Sequence, residues 1–153
     1  MSKKLLEPGL PRGFEDSFGK SLIIEKKIKE VIEKNFLRYG YTEIKTSPME
    51  YSENIGGFLT DDLNDFSKDI FSFDDKDRKI SLRFDLSAPL ARVVSEKYLE
   101  FAFPFRRFQI AEVFRNETSK TGRGRYRSFV QGDFDQIFFG KVPPQANAEI
   151  LQL

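Results

Sequence analysis

Hydrophobic and polar positions alternate most regularly near the end of the chain. Two such runs, Phe105–Phe114 and Arg125–Phe138, flank a polar, glycine-bearing segment from Thr118 to Gly124. Alternation of period two on either side of a polar turn predicts a long β-hairpin. Upstream, Ile24, Ile28, Val31, Ile32, Asn35, Phe36 and Tyr39 recur at helical spacing, and Glu25, Lys26, Lys29, Glu30, Glu33 and Lys34 take the opposite face. That pattern predicts an amphipathic helix over Ser17–Tyr39, capped by Asp16 or Ser17 and closed by Gly40.

Shorter signals fill the rest. Tyr41–Lys45 reads as a strand ended near Pro48, and residues 52–68 read as loop with at most one helical turn. Ile70–Phe73 and Ile80–Phe84 form a second hairpin around the turn Asp74-Asp75-Lys76-Asp77. Ser87 suits the cap of a helix over Ser87–Leu99, with Pro89 early in it. A last helix begins near Gln145. Its apolar residues Ala148, Ile150, Leu151 and Leu153 run to the end with no capping signal, as expected of a chain cut inside a larger domain. Two hairpins without strand–helix–strand alternation predict an α+β fold, an antiparallel sheet flanked by helices. The organisation expected is an extended lead-in, residues 1–13, rich in proline and glycine, followed by one structural unit, residues 14–153.

Composition removes several chemistries. The chain of 153 residues has no cysteine and no histidine. Disulfides, thiol nucleophiles, Ser–His catalysis and ordinary zinc sites are excluded, and no metal-ligating cluster is expected. Twenty-five Lys and Arg against 24 Asp and Glu leave a net charge of +1, so no global field draws in nucleic acid. Charge is segregated locally instead: residues 61–77 carry seven Asp against Lys68 and Lys76. No apolar run approaches the roughly 20 residues that span a bilayer, and the first residues carry no hydrophobic signal region, so the chain reads as soluble and cytoplasmic.

Candidate chemistry gathers at the long hairpin. Arg115, Arg123, Arg125 and Arg127 surround its turn, with Glu117 among them and Phe129 two residues past Arg127. Arginine grips phosphate oxygens with a two-pronged fork, and a flat ring nearby suits a base, so the cluster suits a nucleotide. On charge alone, a solvated turn is the commoner meaning.

At this point the order of motifs resembles the N-terminal part of the catalytic domain of the histidyl-tRNA synthetases, class II aminoacyl-tRNA synthetases. The resemblance runs from about Leu10 to Glu149. It is carried by Leu10-Pro11-Arg12-Gly13-Phe14-Glu15-Asp16, by the helix ending Arg38-Tyr39-Gly40-Tyr41 with Ile44 and Pro48, and by Leu82-Arg83-Phe84-Asp85-Leu86-Ser87-Ala88-Pro89-Leu90-Ala91-Arg92. Val113-Phe114-Arg115-Asn116-Glu117 through Phe129, then Gln131-Gly132-Asp133-Phe134-Asp135, complete it.

The resemblance implies ATP-dependent activation of histidine and its transfer to tRNA(His), with Mg2+ accompanying ATP and a homodimer whose interface lies in Ile24 to Pro48. It implies that Arg115 holds the α-phosphate and the substrate carboxylate, Glu117 the adenine amino group and Arg125 the γ-phosphate, while Phe129 stacks on adenine. Asp85, Ser87, Gln131 and Asp135 are implied to bind the α-amino group and nearby atoms of histidine, beside Arg115. An ammonium needs such acceptors, and adenylate formation needs stabilised phosphate charge rather than a general base. Each residue keeps a plainer role: Asp85 and Ser87 also suit helix capping, and Gln131 and Asp135 also suit pairing with lysines. Two other readings stay open, a synthetase-like regulatory subunit of ATP phosphoribosyltransferase and a non-catalytic dimerising remnant. The former tends to lose the ATP arginines, which this chain retains. The loop between Glu117 and Arg125 departs from the family's usual form by about two extra residues and a missing proline. Asn147 stands where the family tends to carry Asp.

Overall fold

A computed structural model describes residues 7–56, 69–116 and 126–153. In chain order the elements are α1 (Lys20–Arg38), β1 (Thr42–Glu43), β2 (Met49–Tyr51), α2 (Ser52–Gly56), β3 (Ser72–Asp75), β4 (Arg78–Leu82), α3 (Ser87–Lys97), β5 (Phe105–Phe114), β6 (Ser128–Ile137) and α4 (Pro144–Gln152). A single 3-10 turn, Tyr98–Glu100, extends α3. Strands order as β1-β5-β6 in one sheet and β2-β4-β3 in the other. The fold is α+β, as expected, and every strand pair is antiparallel except β1 with β5, which run parallel.

The β5–β6 ladder dominates. Ten residues pair without a slip, from Phe105 opposite Ile137 to Phe114 opposite Ser128. Side chains alternate across a strand, so the ladder sorts residues onto two faces. Phe108, Ile110 and Phe134 take one face and meet α1 there, in a core built on Phe36, Tyr41 and Phe108. Phe36 is the centre of this packing: its ring lies 5.2 Å from that of Phe108 and 4.7 Å from that of Phe134. Leu153 packs against the same cluster. The opposite face carries Phe105, Arg107, Gln109, Ala111 and Val113 beside Ile137, Asp135, Asp133, Gln131 and Phe129.

The two sheets are stitched by backbone and by a buried arginine. Phe114 N–H donates to the Arg83 carbonyl at 3.0 Å. Arg83, 7% exposed, donates from Nε to the Glu112 carbonyl at 2.6 Å and from Nη1 to the Thr46 carbonyl at 3.2 Å. Burial holds its pKa below the ordinary guanidinium value, and Glu112 opposes that shift. An arginine stays charged under either influence, so the two carbonyls receive charge-assisted bonds.

Several sequence expectations shift. Helix α1 starts at Lys20 after Gly19, with no side-chain cap, rather than at Ser17. More consequentially, the outward face is apolar: Ile24, Ile28 and Val31 are 58%, 54% and 60% exposed. The inward face is mixed, with half-buried Glu25, Lys29, Ile32 and Glu33 joining Phe36. A helical period tells how residues group on faces but not which group meets the body. Strand β3 begins at Ser72 rather than Ile70, so Asp74 and Asp75 are ladder residues and only Lys76-Asp77 turns, with Lys76 at φ 53°. Leu153 is partly buried against the core, whereas Leu151 is 87% exposed.

Phe36→Ala is expected to cost about 3–5 kcal/mol, because a large buried ring leaves a cavity the sheet cannot close. Urea denaturation of the chain reads this directly, and a loss under about 1 kcal/mol would remove Phe36 from the centre of the core.

Candidate active site

Pairing register lines up the candidates along one strand. Phe129, Gln131, Asp133 and Asp135 share a face of β6, opposite Val113, Ala111, Gln109 and Arg107 of β5. At about 3.4 Å per residue, Phe129 to Asp135 spans roughly 20 Å, enough for a nucleotide and an amino acid end to end. The face is free of α1, which covers the other side.

Arg115 stands one residue beyond β5, on the continuation of this face. Its Nε donates to the Phe84 carbonyl at 3.3 Å. Its guanidinium carbon lies 4.4 Å from the centre of the Phe84 ring and 5.0 Å from that of Phe129. Two rings restrict a long side chain to a narrow range, and cation–π attraction holds it there. Arg115 N–H also donates to the Arg127 carbonyl at 2.8 Å, which closes the base of the hairpin loop. Thus Arg115 and Phe129, which the sequence places fourteen positions apart, are neighbours in space. Glu117 and Arg125 lie outside the described residues, as does most of the loop whose length departs from the family pattern.

Asp85 follows Phe84 directly, so it adjoins the Arg115 site. Its Oδ1 accepts from Ala88 N–H at 3.1 Å, at the start of α3. The capping role open to Asp85 is therefore filled by one oxygen, while Ser87 is the exposed first residue of the helix and makes no cap. Gln131 is half-buried on the strand face. Among the described residues Asp135 pairs with no lysine, the plainer role open to it. Asp135 is bound instead through Oδ2 to Nη2 of Arg107, a residue fully excluded from solvent. The same Nη2 donates to Asp133 Oδ2 at 2.8 Å.

Burial holds the Asp135 carboxyl above its ordinary value; Arg107 pulls it down and Asp133 pushes it up. Sequence reasoning assigns Arg107 and Asp133 no part in the site. The signal lies in the alternation, since a charged residue at an inward position of a regular strand demands a partner. Arg106, one position earlier, falls on the other face and pairs with Glu149 of α4 at 2.9 Å.

No group of three or more acidic residues gathers to hold a metal among the described residues.

The family model described as histidyl-tRNA synthetase matches residues 13–153. A histidine–tRNA ligase of Pelagibacter ubique is 50% identical over 149 residues, which is 97% of this chain and 31% of that protein. One from Caulobacter vibrioides is 38% identical over 148 residues, 96% of this chain and 29% of that protein. The crystal structure of histidyl-tRNA synthetase from Nostoc superposes with a TM-score of 0.78 at 25% identity, covering 93% of this chain and 31% of that one. An ATP phosphoribosyltransferase regulatory subunit/histidyl-tRNA synthetase from Bacillus halodurans gives 0.77 at 25% identity, covering 97% and 36%. The α+β architecture is that of the class II synthetase catalytic domain. The chain spans about 30% of the length of the curated relatives it matches.

The raised pKa of Asp135 has a sign. Between the ordinary value of 3.8 and the raised one, the folded state holds more proton than the unfolded state, so stability falls as pH rises through that window. Asp135→Asn is expected to remove this fall: as pH rises above about 4, the wild type should lose stability relative to the variant until the folded-state carboxyl is fully ionised. Urea melts at stepped pH measure the difference, and parallel curves would contradict it.

Proposed function

We infer the function from one premise: the chain belongs to the histidyl-tRNA synthetase family. On that basis the strand face from Phe129 to Asp135 is read as the amino-acid-activating site of a histidine–tRNA ligase. The observation that carries the reading is the wedging of Arg115 between the Phe84 and Phe129 rings, at the mouth of a face lined with amide and carboxylate acceptors. ATP and histidine are the proposed substrates, and tRNA(His) the acceptor in the complete enzyme. The proposed location is the cytoplasm; among the described residues no helix is long and apolar enough to cross a membrane.

In this reading Phe129 stacks on adenine and Glu117 accepts from its amino group. Asp135 and Gln131 take the histidine ammonium, aided by Asp85 and by Ser87 at the head of α3. A histidine carboxylate oxygen attacks the α-phosphorus of ATP. A carboxyl–phosphate bond forms as the bond to pyrophosphate breaks, and both electrons leave with pyrophosphate. Negative charge grows on the α-phosphate oxygens, and Arg115 stabilises it from a fixed position while Arg125 holds the γ-phosphate. Mg2+, when bound with ATP, adds further positive charge at the phosphates. No side chain has to accept a proton, which suits a chain without histidine. Arg115 and Phe129, both in place on one face, favour the ligase over the regulatory-subunit reading.

The exposed stripe of Ile24, Ile28 and Val31 supports a homodimer built on α1. These residues sit four and three positions apart, so they form one ridge. Isolated apolar residues are ordinary on a surface, but a continuous ridge of them calls for a cover.

Two experiments test these statements. Histidine-dependent pyrophosphate exchange is expected to be absent for the 153-residue chain and present in a chimera joining it to the remaining part of the Pelagibacter ubique ligase. Arg115→Ala in the chimera should raise the barrier by about 2.7–4 kcal/mol without unfolding it. Near-normal exchange in that variant would reduce Arg115 to a surface arginine. For the dimer, sedimentation at micromolar concentration should show self-association that Val31→Glu abolishes; a wild-type monomer would refute the α1 interface.

A further inference from the structure

Arg107 is the most deeply buried charge in the described structure, at 0% exposure, and it lies on the face read as the active site. It stands directly across the ladder from Asp135. A single nitrogen, Nη2, reaches both Asp133 Oδ2 and Asp135 Oδ2. Its other donors, Nε and Nη1, have no partner among the described residues. Engaging both prongs of the fork would stabilise a buried guanidinium best. The geometry seen here instead pins one oxygen of each acid and leaves Asp135 Oδ1 outside the pinch. Such a breach of local satisfaction is what functional sites show.

We propose that Arg107 is a positioning residue for the amino-acid site: it clamps Asp133 and Asp135 so that Asp135 presents a fixed, ionised carboxylate to the substrate ammonium. The proposal rests on the reading of Asp135 as ammonium acceptor. Without the clamp, two carboxylates two residues apart on one strand face, about 7 Å between their Cα atoms, would repel and one would take up a proton. A protonated acid loses most of its hold on an ammonium. With the clamp, one cation and two anions leave a single negative charge, which the substrate ammonium neutralises. Arginine suits this task because it keeps its proton even when fully buried. The charged groups acting on Asp135 are Arg107 from β5 and Asp133 from β6. Across the sheet, the Tyr41 phenol senses Asp135, and Arg106 and Glu149 neutralise each other beside it.

The first readout is the side-chain carboxyl 13C titration of Asp133 and Asp135 in the 153-residue chain. Arg107→Met, similar in length but uncharged, should raise the Asp135 midpoint by about one unit or more. Asp133→Asn should lower it, because a repelling neighbour is gone, and Arg107→Lys should stay near wild type. In the chimera, Arg107→Met should raise KM for histidine roughly tenfold or more while KM for ATP holds, and should move the acid limb of kcat/KM to higher pH. Asp135→Asn separates the two layers. If it leaves KM for histidine unchanged, the reading of Asp135 fails. If it raises KM but Arg107→Met changes neither the titration nor KM, the clamp alone fails. Should Arg107→Met not fold, Asp133→Asn decides, and an unmoved Asp135 midpoint overturns the proposal.

Discussion

The unbroken antiparallel register of β5 and β6 is the constraint on which the rest of the structure depends. Ten pairs in a row fix which side chains share a face. A slip of one residue would turn Phe108 and Phe134 to the site and Arg107, Asp133 and Asp135 into the core under α1. The two outcomes differ by several buried charges and several buried rings, so the register is strongly determined. Core and candidate site are in this sense one decision, which sets Phe108, Ile110 and Phe134 on one face and Arg107, Gln131, Asp133 and Asp135 on the other.

That decision is largely legible in the amino-acid sequence. The alternation in Phe105–Phe114 and Arg125–Phe138 marks the hairpin, and the run from Arg115 to Phe129 marks two residues that the fold brings together. Helix α1 is equally plain as an element, yet its orientation is not. Ile24, Ile28 and Val31 look like a core stripe, and only the aromatic rings of Phe36, Tyr41, Phe108 and Phe134, meeting from distant parts of the chain, show that the body lies elsewhere. Burial is a property of pairs of surfaces, and one helix carries only half of that information.

The charged residues are legible to a lesser degree. Arg83, Arg107 and Asp133 attract no role from sequence, since arginines and aspartates are usually solvated. Their positions inside strands or between them are the available clue. Arg83 ties Thr46 and Glu112 across the two sheets, and Arg107 sits beneath two acids. In both cases a cation is buried where backbone or carboxylate oxygens converge from separate segments, a convergence that only the folded chain reveals. Asp85 shows the converse. One short side chain meets the start of a helix, and the hydrogen bond from Ala88 N–H uses only one of its oxygens.

Gly13 closes the segment that the sequence reads as an extended lead-in. Its carbonyl accepts from Arg127 N–H at 2.6 Å, and it holds φ +85° with an added Cβ only 2.7 Å from the Arg127 Cγ. One residue on, Phe14 lies 6.0 Å from Phe71, and the Glu15 side chain is hydrogen-bonded to the Tyr126 phenol. Gly13 to Glu15 therefore act as a latch on the returning arm of the hairpin, two residues before Phe129. Trimming this segment, or threading a tag through it, would loosen from behind the strand that carries Phe129.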